Sequence, residues 1–371
     1  MPPELRVAYL AHSFRSDWNN GNAHFLRGLM RGMVELGHDV KIFEPCCSWS
    51  IQNLREEDSG RRSLDQFRAT YPDLSISTYS SADPAKLSFW RDALRDRDIV
   101  ILHEWNPPEL AHTLLELRDH LGFRLLFHDT HHRASSSPEQ IRLFGTNRFD
   151  GILAFGEALR RIYQDSFGIN RVWTLHEAAD VTIFHPRVHT AKMTDVVWIG
   201  NWGDDERSQE LSEFLLEPAA ALSSHSFAVY GVRYPQDGVD ALHKARVQYR
   251  GYLPNLDAPS TYASARLTVH IPRQQYASAM HGIPTIRVFE ALACGIPLIS
   301  APWQDSENLF REGDFTFVRN AAGMKRAMEK LLSDTRAAEA QALRGLETIL
   351  SRHTCRHRAE ELTSICQELL R

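Results

Sequence analysis

The feature that most constrains the fold of this chain is the regular alternation of short apolar segments with amphipathic ones. Arg6–Leu10 is an apolar segment of strand length, and residues 23–36 repeat apolar side chains at spacings of three and four, which predicts a helix. Strands that alternate with helices pair in parallel through right-handed crossovers, so we expect an α/β fold. The other predicted strands are 40–43, 99–102, 124–127, 152–155, 172–175, 196–199, 227–230, 267–271, 298–300 and 315–318.

The alternation is interrupted once, at a turn-rich segment near residues 184–192, and then restarts. A chain of 371 residues has room for two domains at roughly 100–200 residues each. We therefore predict a first domain at residues 1–187, a second domain at 188–354, and a terminal helix near residues 355–371. Two doubly wound units of this kind face a cleft in the predicted fold, and ligands bind beyond the carboxyl ends of the strands.

Charge and composition exclude several classes of protein. The net charge is −5 and the pI is about 6.4, which gives no general attraction for nucleic acid or anionic lipid. No stretch approaches the ~20 apolar residues that cross a bilayer, and the N-terminus lacks the apolar core of a signal peptide. The five cysteines are irregularly spaced. We expect a cytoplasmic protein with reduced thiols, no integral membrane segment and no nucleic-acid partner.

The richest stretch for chemistry is 282–300, GIPTIRVFEALACGIPLIS. Pro284 stands where a helix can begin, and Gly295 stands where it can end. A helix N-terminus attracts phosphate, and Arg287 can add a bidentate contact. Glu290 lies on the same face, three residues on, where a carboxylate can accept hydrogen bonds from ribose hydroxyls. The alternative from these residues alone is an Arg–Glu surface pair.

Three runs resemble one family. FEALACGIPLIS at 289–300 resembles the E-A-x-A-C-G-x-P-V signature of GT-B glycosyltransferases, in particular family 4. Residues 20–45, which contain Gly-His-Asp-Val at 37–40, and residues 150–186 are similar to that family's first helix and to the segment that closes its first domain. RVFE at 287–290 and YGVRYP at 230–235 resemble the spore-maturation glycosyltransferase-like subgroup. The resemblance implies two Rossmann-like domains, with the last helix crossing back to the first.

The resemblance also implies a function and a donor site. We expect a glycosyltransferase that moves a sugar from a nucleoside diphosphate, with UDP as the expected nucleotide, to an unidentified acceptor. By match, Glu290 binds the ribose, Arg207 binds the diphosphate, and the Gly-Tyr-Leu-Pro turn reads the base. The expected donor-binding residues are Gly21, Asn22, Arg207, Tyr252, Leu253, Thr285, Arg287 and Glu290.

The catalytic candidates lie in the first domain. His128 matches a family histidine that faces the donor sugar, and it precedes Asp129 in LLFHDTHHR. Asp17, His24 and Asp129 are candidates for a base if the reaction inverts the anomeric centre. If it retains the configuration, the leaving phosphate can take the acceptor proton. The family glutamate eight positions before Glu290 is replaced by Gly282, so the sequence leaves the stereochemistry open.

A metal ion and other cofactors are not expected. The three histidines near Asp129 have no spaced partner motif, and the family binds diphosphate with helix dipoles and basic residues. No Asp-x-Asp pair follows a strand in a donor-site position, and Asp204 and Asp205 are adjacent. The absence of a G-x-G-x-x-G loop argues against a dehydrogenase. Two alternatives remain: a nucleotide-sugar 2-epimerase of the same fold and a non-catalytic nucleotide-sugar binding protein. Trp18 and Trp105 are candidates for an acceptor platform or for core packing.

Overall fold

The computed structural model describes residues 4–188, 190–203 and 207–371, which form two compact units. Unit 1 consists of Met1–Glu177 together with Cys355–Arg371, and unit 2 is Ala178–Thr354. The first part of unit 1 ends at Glu177, somewhat earlier than the boundary expected at residue 187. Each unit is a parallel α/β sheet with its own helices, as the alternating sequence pattern predicts.

Unit 1 contains a seven-stranded parallel sheet in the order β3-β2-β1-β4-β5-β6-β7. Its strands are β1 (Arg6–Leu10), β2 (Asp39–Pro45), β3 (Ser75–Tyr79), β4 (Ile99–His103), β5 (Arg124–Asp129), β6 (Gly151–Ala154) and β7 (Val172–Thr174). Its helices before unit 2 are α1 (Ala23–Glu35), α2 (Trp49–Glu56), α3 (Gly60–Thr70), α4 (Leu87–Leu94), α5 (Pro108–Leu121), α6 (Arg133–Ser136), α7 (Pro138–Arg142) and α8 (Glu157–Phe167).

Unit 2 contains a six-stranded parallel sheet in the order β10-β9-β8-β11-β12-β13. Its strands are β8 (Thr194–Ile199), β9 (Phe227–Tyr230), β10 (Val247–Tyr249), β11 (Ala265–His270), β12 (Leu298–Ser300) and β13 (Thr316–Phe317). Its helices are α9 (Ser208–Leu211), α10 (Glu217–Ala221), α11 (Gln236–Lys244), α12 (Ala258–Ala263), α13 (Gln274–Ser278), α14 (Ile286–Ala293), α15 (Ala321–Ser333) and α16 (Thr335–Arg352).

The strand order reverses direction once in each sheet. In unit 1 the reversal lies between β1 and β4, and in unit 2 it lies between β8 and β11. At such a switch point the two loops that follow the strands leave toward opposite faces, which opens a crevice at the carboxyl edge of the sheet. The residues that follow β1, β4, β8 and β11 are therefore the first places to look for a site.

The terminal helix α17 (Cys355–Leu370) belongs to unit 1, where it packs on α1. Leu362 and Ile365 are buried, as their helical spacing predicts. A glycine allows the close approach of the two helices, because a Cβ atom built at Gly32 would lie 2.8 Å from the Cβ atom of Ala359. The prediction that the last helix returns to the first domain is confirmed.

Candidate functional site

The candidate donor site starts at the switch point of unit 2, where the loops after β8 and β9 are tied together. The backbone N–H of Val232 donates to Oδ1 of Asn201 at 2.9 Å, and the Tyr234 hydroxyl donates to the carbonyl of Gly200 at 2.8 Å. A Cβ atom at Gly231 would lie 2.1 Å from that same carbonyl oxygen, so only glycine fits there. This contact fixes the start of the segment that leads to Arg207.

Arg207 is packed against this loop and is only 9% exposed. Its Nη1 donates to the carbonyl of Asn201 at 3.3 Å, and its guanidinium carbon lies 5.7 Å from the centre of the Trp198 ring. A cation held in this way is better placed to meet an anion than a freely solvated arginine. Asp204 and Asp205, which precede it, lie outside the described residues.

The helix that carries the resemblance, α14, begins at Ile286 with Thr285 as its N-cap, two residues later than Pro284 would allow. Arg287 and Glu290 form an ion pair through Nη1 and Oε2, three residues apart on one face. The Glu290 side chain is fully buried, whereas 27% of the Arg287 side chain is exposed. The pair is therefore neither an ordinary surface pair nor a carboxylate that lines an open surface.

Asn255, which the sequence analysis missed, is the second partner of Glu290. Its Nδ2 donates to Oε1 of Glu290 at 3.1 Å. Asn255 follows the Gly251–Pro254 loop, where Tyr252 and Leu253 are half-buried. The predicted base-reading turn and the predicted ribose-binding carboxylate are thus joined by one hydrogen bond. No motif marks Asn255; its only signal is its place directly after that turn.

The buried charge of Glu290 affects its neighbours. Burial raises the pKa of the Tyr262 hydroxyl well above its usual value, and the charge of Glu290 raises it further. The pKa of the Cys294 thiol is raised for the same two reasons. A carboxylate inside a protein needs hydrogen bonds and a compensating cation, and here Asn255 and Arg287 supply them. Unit 2 therefore contains a buried, compensated negative charge at Glu290.

His270 is a second residue that the sequence analysis missed. It ends β11 at the switch point, is 2% exposed, and its Nδ1 lies 2.9 Å from Oγ of Ser300, which ends β12. Burial, and next the charge of Arg207, lowers the pKa of His270 to about 3, so the imidazole is neutral at physiological pH. A histidine at the end of a strand-like run, TVHIP, was the available signal.

Unit 1 holds a polar cluster at the ends of β1, β4 and β5, which we define as Tyr9, His12, His103, Glu104, His128, Asp129 and Thr130; His12 is half-buried and the other six are buried. His103 lies between two partners: its Nδ1 is 2.9 Å from Oε2 of Glu104, and its Nε2 is 3.1 Å from Oγ1 of Thr130. His12 stacks on His103, with ring centres 5.7 Å apart. This cluster spans the switch point of unit 1.

Burial changes the protonation of this cluster. It raises the pKa of Glu104 to about 8 and the pKa of Asp129 to about 7, in the second case with help from the charge of Glu104. It lowers the pKa of both His12 and His103 to about 3. At neutral pH the imidazoles of His12 and His103 are therefore neutral, Glu104 is mostly protonated and Asp129 is near the midpoint of its titration, a combination suited to proton transfer.

The predicted catalytic residues lie beneath the surface of unit 1. His128 and Asp129 are fully buried, where Nδ1 of His128 lies 2.8 Å from the Tyr9 hydroxyl and Asp129 accepts from the Tyr163 hydroxyl at 2.6 Å. His24 is also fully buried in the first turn of α1, and Asp17 lies 3.4 Å from the buried guanidinium of Arg27. Their contact with a substrate stays a prediction.

The remaining predicted residues of unit 1 are more accessible. Gly21 and Asn22 form the half-buried turn before α1, and the approach of their backbone to a ligand stays a prediction. Trp105 is 44% exposed, whereas Trp18 is 8% exposed with its Nε1 donating to Glu57 at 2.8 Å. Only Trp105 therefore suits the predicted acceptor platform.

Two further structural findings concern the described residues as a whole. They contain no group of three or more His, Cys, Asp or Glu side chains arranged to hold a metal ion. Across residues 4–188, 190–203 and 207–371, none of the helices has the length and apolar composition needed to traverse a bilayer.

Comparison with known protein families gives two adjoining matches. The model described as glycosyltransferase family 4 matches residues 19–182, and the model described as glycosyl transferase-like matches residues 207–364. The first covers much of the β1–β7 unit, and the second covers Arg207, Asn255 and Glu290. No curated protein sequence matches this chain significantly.

Solved structures match along nearly the whole chain. The Anabaena protein HepE in complex with UDP and glucose is 12% identical over 97% of this chain and 99% of that chain, with a TM-score of 0.70. A glycosyltransferase from Rickettsia africae is 11% identical over 99% of each chain, with a TM-score of 0.68. An α-glucosyltransferase in complex with UDP and a 13-mer DNA is 12% identical over 98% of this chain and 100% of that chain, at 0.66. At these identities the likeness shows a shared fold.

Proposed function

Because this chain belongs to the family-4-like glycosyltransferases of the GT-B fold, we propose that it transfers a sugar from a nucleoside diphosphate to an acceptor, with unit 2 as its donor-binding unit. The observation that carries the proposal is the Arg287–Glu290–Asn255 group beside the start of α14, in which Glu290 and Asn255 are buried and Arg287 is partly exposed. A helix with only a structural role does not need a buried ion pair, because apolar residues of similar volume would stabilise the protein at least as well.

The proposed donor has parts that match this group. The diphosphate meets Arg207, Arg287 and the first N–H groups of α14, which offset the charge that gathers on it as the glycosidic bond breaks. The ribose hydroxyls donate hydrogen bonds to Glu290. A carboxylate can accept about four hydrogen bonds, so bonds from the ribose are compatible with those from Arg287 and Asn255. We propose UDP as the nucleotide, since the HepE and α-glucosyltransferase structures both hold UDP.

The donor-side electrostatics need no metal in this proposal, because two arginines and a helix N-terminus already face the diphosphate. The acceptor side is less defined. The four predicted catalytic residues of unit 1, which include the three base candidates, are buried or ion-paired in the structure. The donor-side residues therefore carry the proposal, and the stereochemistry of transfer is left open.

The proposal is tested by a thermal-shift panel of nucleoside diphosphates and their sugars, each run with EDTA and with Mg²⁺. We expect UDP and at least one UDP-sugar to raise the melting temperature equally in both buffers, since a ligand at a hundredfold excess over its Kd stabilises by about 2.7 kcal/mol. Stabilisation that appears only with Mg²⁺ contradicts metal independence, and no shift with any nucleotide contradicts the donor site. Sugar-nucleotide turnover without acceptor would indicate the epimerase instead.

A further inference from the structure

Two polar atoms of unit 2 are buried without a hydrogen-bond partner, and they lie close together. They are Nε2 of His270 and Nε1 of Trp303, in side chains that are 2% and 8% exposed. The two rings are perpendicular, with centres 6.1 Å apart. A buried polar atom without a partner is destabilising, so two of them on neighbouring rings indicate a place that another group completes.

The hydrogen bonds around Ser300 fix which atom of His270 carries the proton. The Ser300 hydroxyl has one hydrogen, which it donates to the carbonyl of Ala301 at 2.8 Å. It must therefore accept from Nδ1–H of His270, 2.9 Å away. With the ring neutral, Nε2 is then an acceptor. The indole Nε1–H of Trp303 is a donor only.

An acceptor and a donor on neighbouring rings favour a group that can bond both of them. A hydroxyl can donate to Nε2 of His270 and accept from Nε1–H of Trp303. A diphosphate oxygen or a carbonyl only accepts, so neither satisfies His270. Among the parts of a nucleotide sugar, the sugar and the ribose carry hydroxyls, and the ribose is assigned to Glu290.

The position of this pair fits the sugar. His270 ends β11 at the switch point of unit 2, and the charge of Arg207 contributes to its lowered pKa. Trp303 follows β12, and its loop is tied to the segment before α14, because the backbone N–H of Gly282 donates to the carbonyl of Gln304 at 2.7 Å. The pair is therefore connected to the proposed diphosphate ligand Arg207 through the charge acting on His270, and to the segment before α14 through the loop that carries Trp303.

We infer that His270 and Trp303 bind one hydroxyl group of the transferred sugar, with Nε2 of His270 as its acceptor and the Trp303 indole N–H as its donor. This inference rests on the proposed function, because it adds a sugar subsite to the proposed diphosphate and ribose contacts. Ser300 is a positioning residue, since it holds His270 in the tautomer that accepts.

The test compares the affinity of UDP with that of a UDP-sugar, measured by titration calorimetry. The sugar is chosen on the wild type from UDP-glucose, UDP-galactose and UDP-N-acetylglucosamine as the one that binds most tightly. We expect His270→Phe and Trp303→Phe to leave UDP affinity within about twofold and to weaken the UDP-sugar by about threefold to tenfold, the value of one neutral hydrogen bond. His270→Gln, which can place an oxygen near the Nε2 position, should retain most of the sugar affinity.

Two more variants complete the design. Ser300→Ala frees the tautomer and should weaken the UDP-sugar but not UDP. Trp90→Phe is the matched control, because it removes an indole N–H that donates to the Pro84 carbonyl in unit 1, and it should change neither affinity. Unchanged UDP affinity also shows that each variant is folded. If the wild type binds UDP but gains nothing from the sugar, or if the Phe variants keep the full gain, a buried water fills the place and the inference is wrong. If the wild type binds no nucleotide, the proposed function itself fails.

Discussion

At the residue scale, the sequence locates the candidate residues, but burial determines their hydrogen-bond partners and their protonation. The sequence places His128, Asp129 and Glu290 correctly at strand ends and on a helix face, because those positions follow from periodicity. It does not reveal that all three are fully buried, nor that Asn255 reaches Glu290 from a loop thirty-five residues earlier in the chain. Protonation follows from such long-range packing, so no local pattern could predict it.

Asp129 gives a prediction about pH. Its pKa is about 7 in the folded protein against 3.8 ordinarily, so folding favours its protonated form. The stability that this form contributes is complete below pH 3.8 and is lost as the pH rises through 7. When the pH is raised from 6 to 8.5, the free energy of unfolding of the wild type should therefore fall by about 1.4 kcal/mol more than that of Asp129→Asn. Urea unfolding at each pH measures this difference.

The matched control is Asp98→Asn. The Arg6 guanidinium lowers the pKa of Asp98, so this carboxyl is ionised in both states above pH 6, and its replacement should leave the slope of stability against pH unchanged over that range. If Asp129→Asn has the same slope of unfolding free energy against pH as the wild type, Asp129 is ionised in the folded protein at neutral pH and this prediction is wrong.

At the element scale, the sequence pattern predicted the strands that lie inside the two sheets. The two strands that it did not predict lie at sheet edges. β3 reads SISTY and β10 reads VQY, and each is the outermost strand of its sheet. An edge strand buries few side chains, so it lacks the apolar run that marks a central strand. The polar, mixed-charge composition of residues 48–69 is compatible with either a surface helix or a flexible loop, and the structure places α2 and most of α3 there.

The contact between α1 and α17 gives a prediction about stability. Gly32 faces Ala359 so closely that a valine there would force the helices apart. Gly32→Val should lower the free energy of unfolding by about 1–3 kcal/mol, the usual cost of overpacking. In the Ala359→Gly background the same substitution should cost clearly less. Equal costs in both backgrounds, measured by denaturant unfolding, would mean that the two helices do not meet at this point in solution.

At the scale of the whole molecule, two parallel α/β units follow from the alternating sequence pattern, and with the returning terminal helix they give the GT-B fold that the resemblance implies. The order of strands in a doubly wound unit follows from general rules of connection, which is why the fold class could be predicted without a structure. The contents of the donor site could be predicted only where a motif marks them. His270, Trp303 and Asn255 stand outside any motif: His270 lies beside Trp303, and Asn255 bonds Glu290, only through long-range packing.

The central claim is that unit 2 binds a nucleoside diphosphate through Glu290. It is tested most directly by calorimetric titration of UDP into the wild type and Glu290→Gln, at a temperature where circular dichroism shows both to be folded. Because Glu290 is buried and paired, the variant should also be less stable, so this check matters. Glu157→Gln is the control, since it breaks a similar pair with Arg160 on α8 of unit 1.

The account predicts at least about tenfold weaker UDP binding for Glu290→Gln, because hydrogen bonds from two ribose hydroxyls to a charged acceptor are worth roughly 1.5–3 kcal/mol each. Glu157→Gln should bind UDP as the wild type does. Equal UDP affinities for the wild type and a folded Glu290→Gln would contradict the account and reduce the Arg287–Glu290 pair to a structural role.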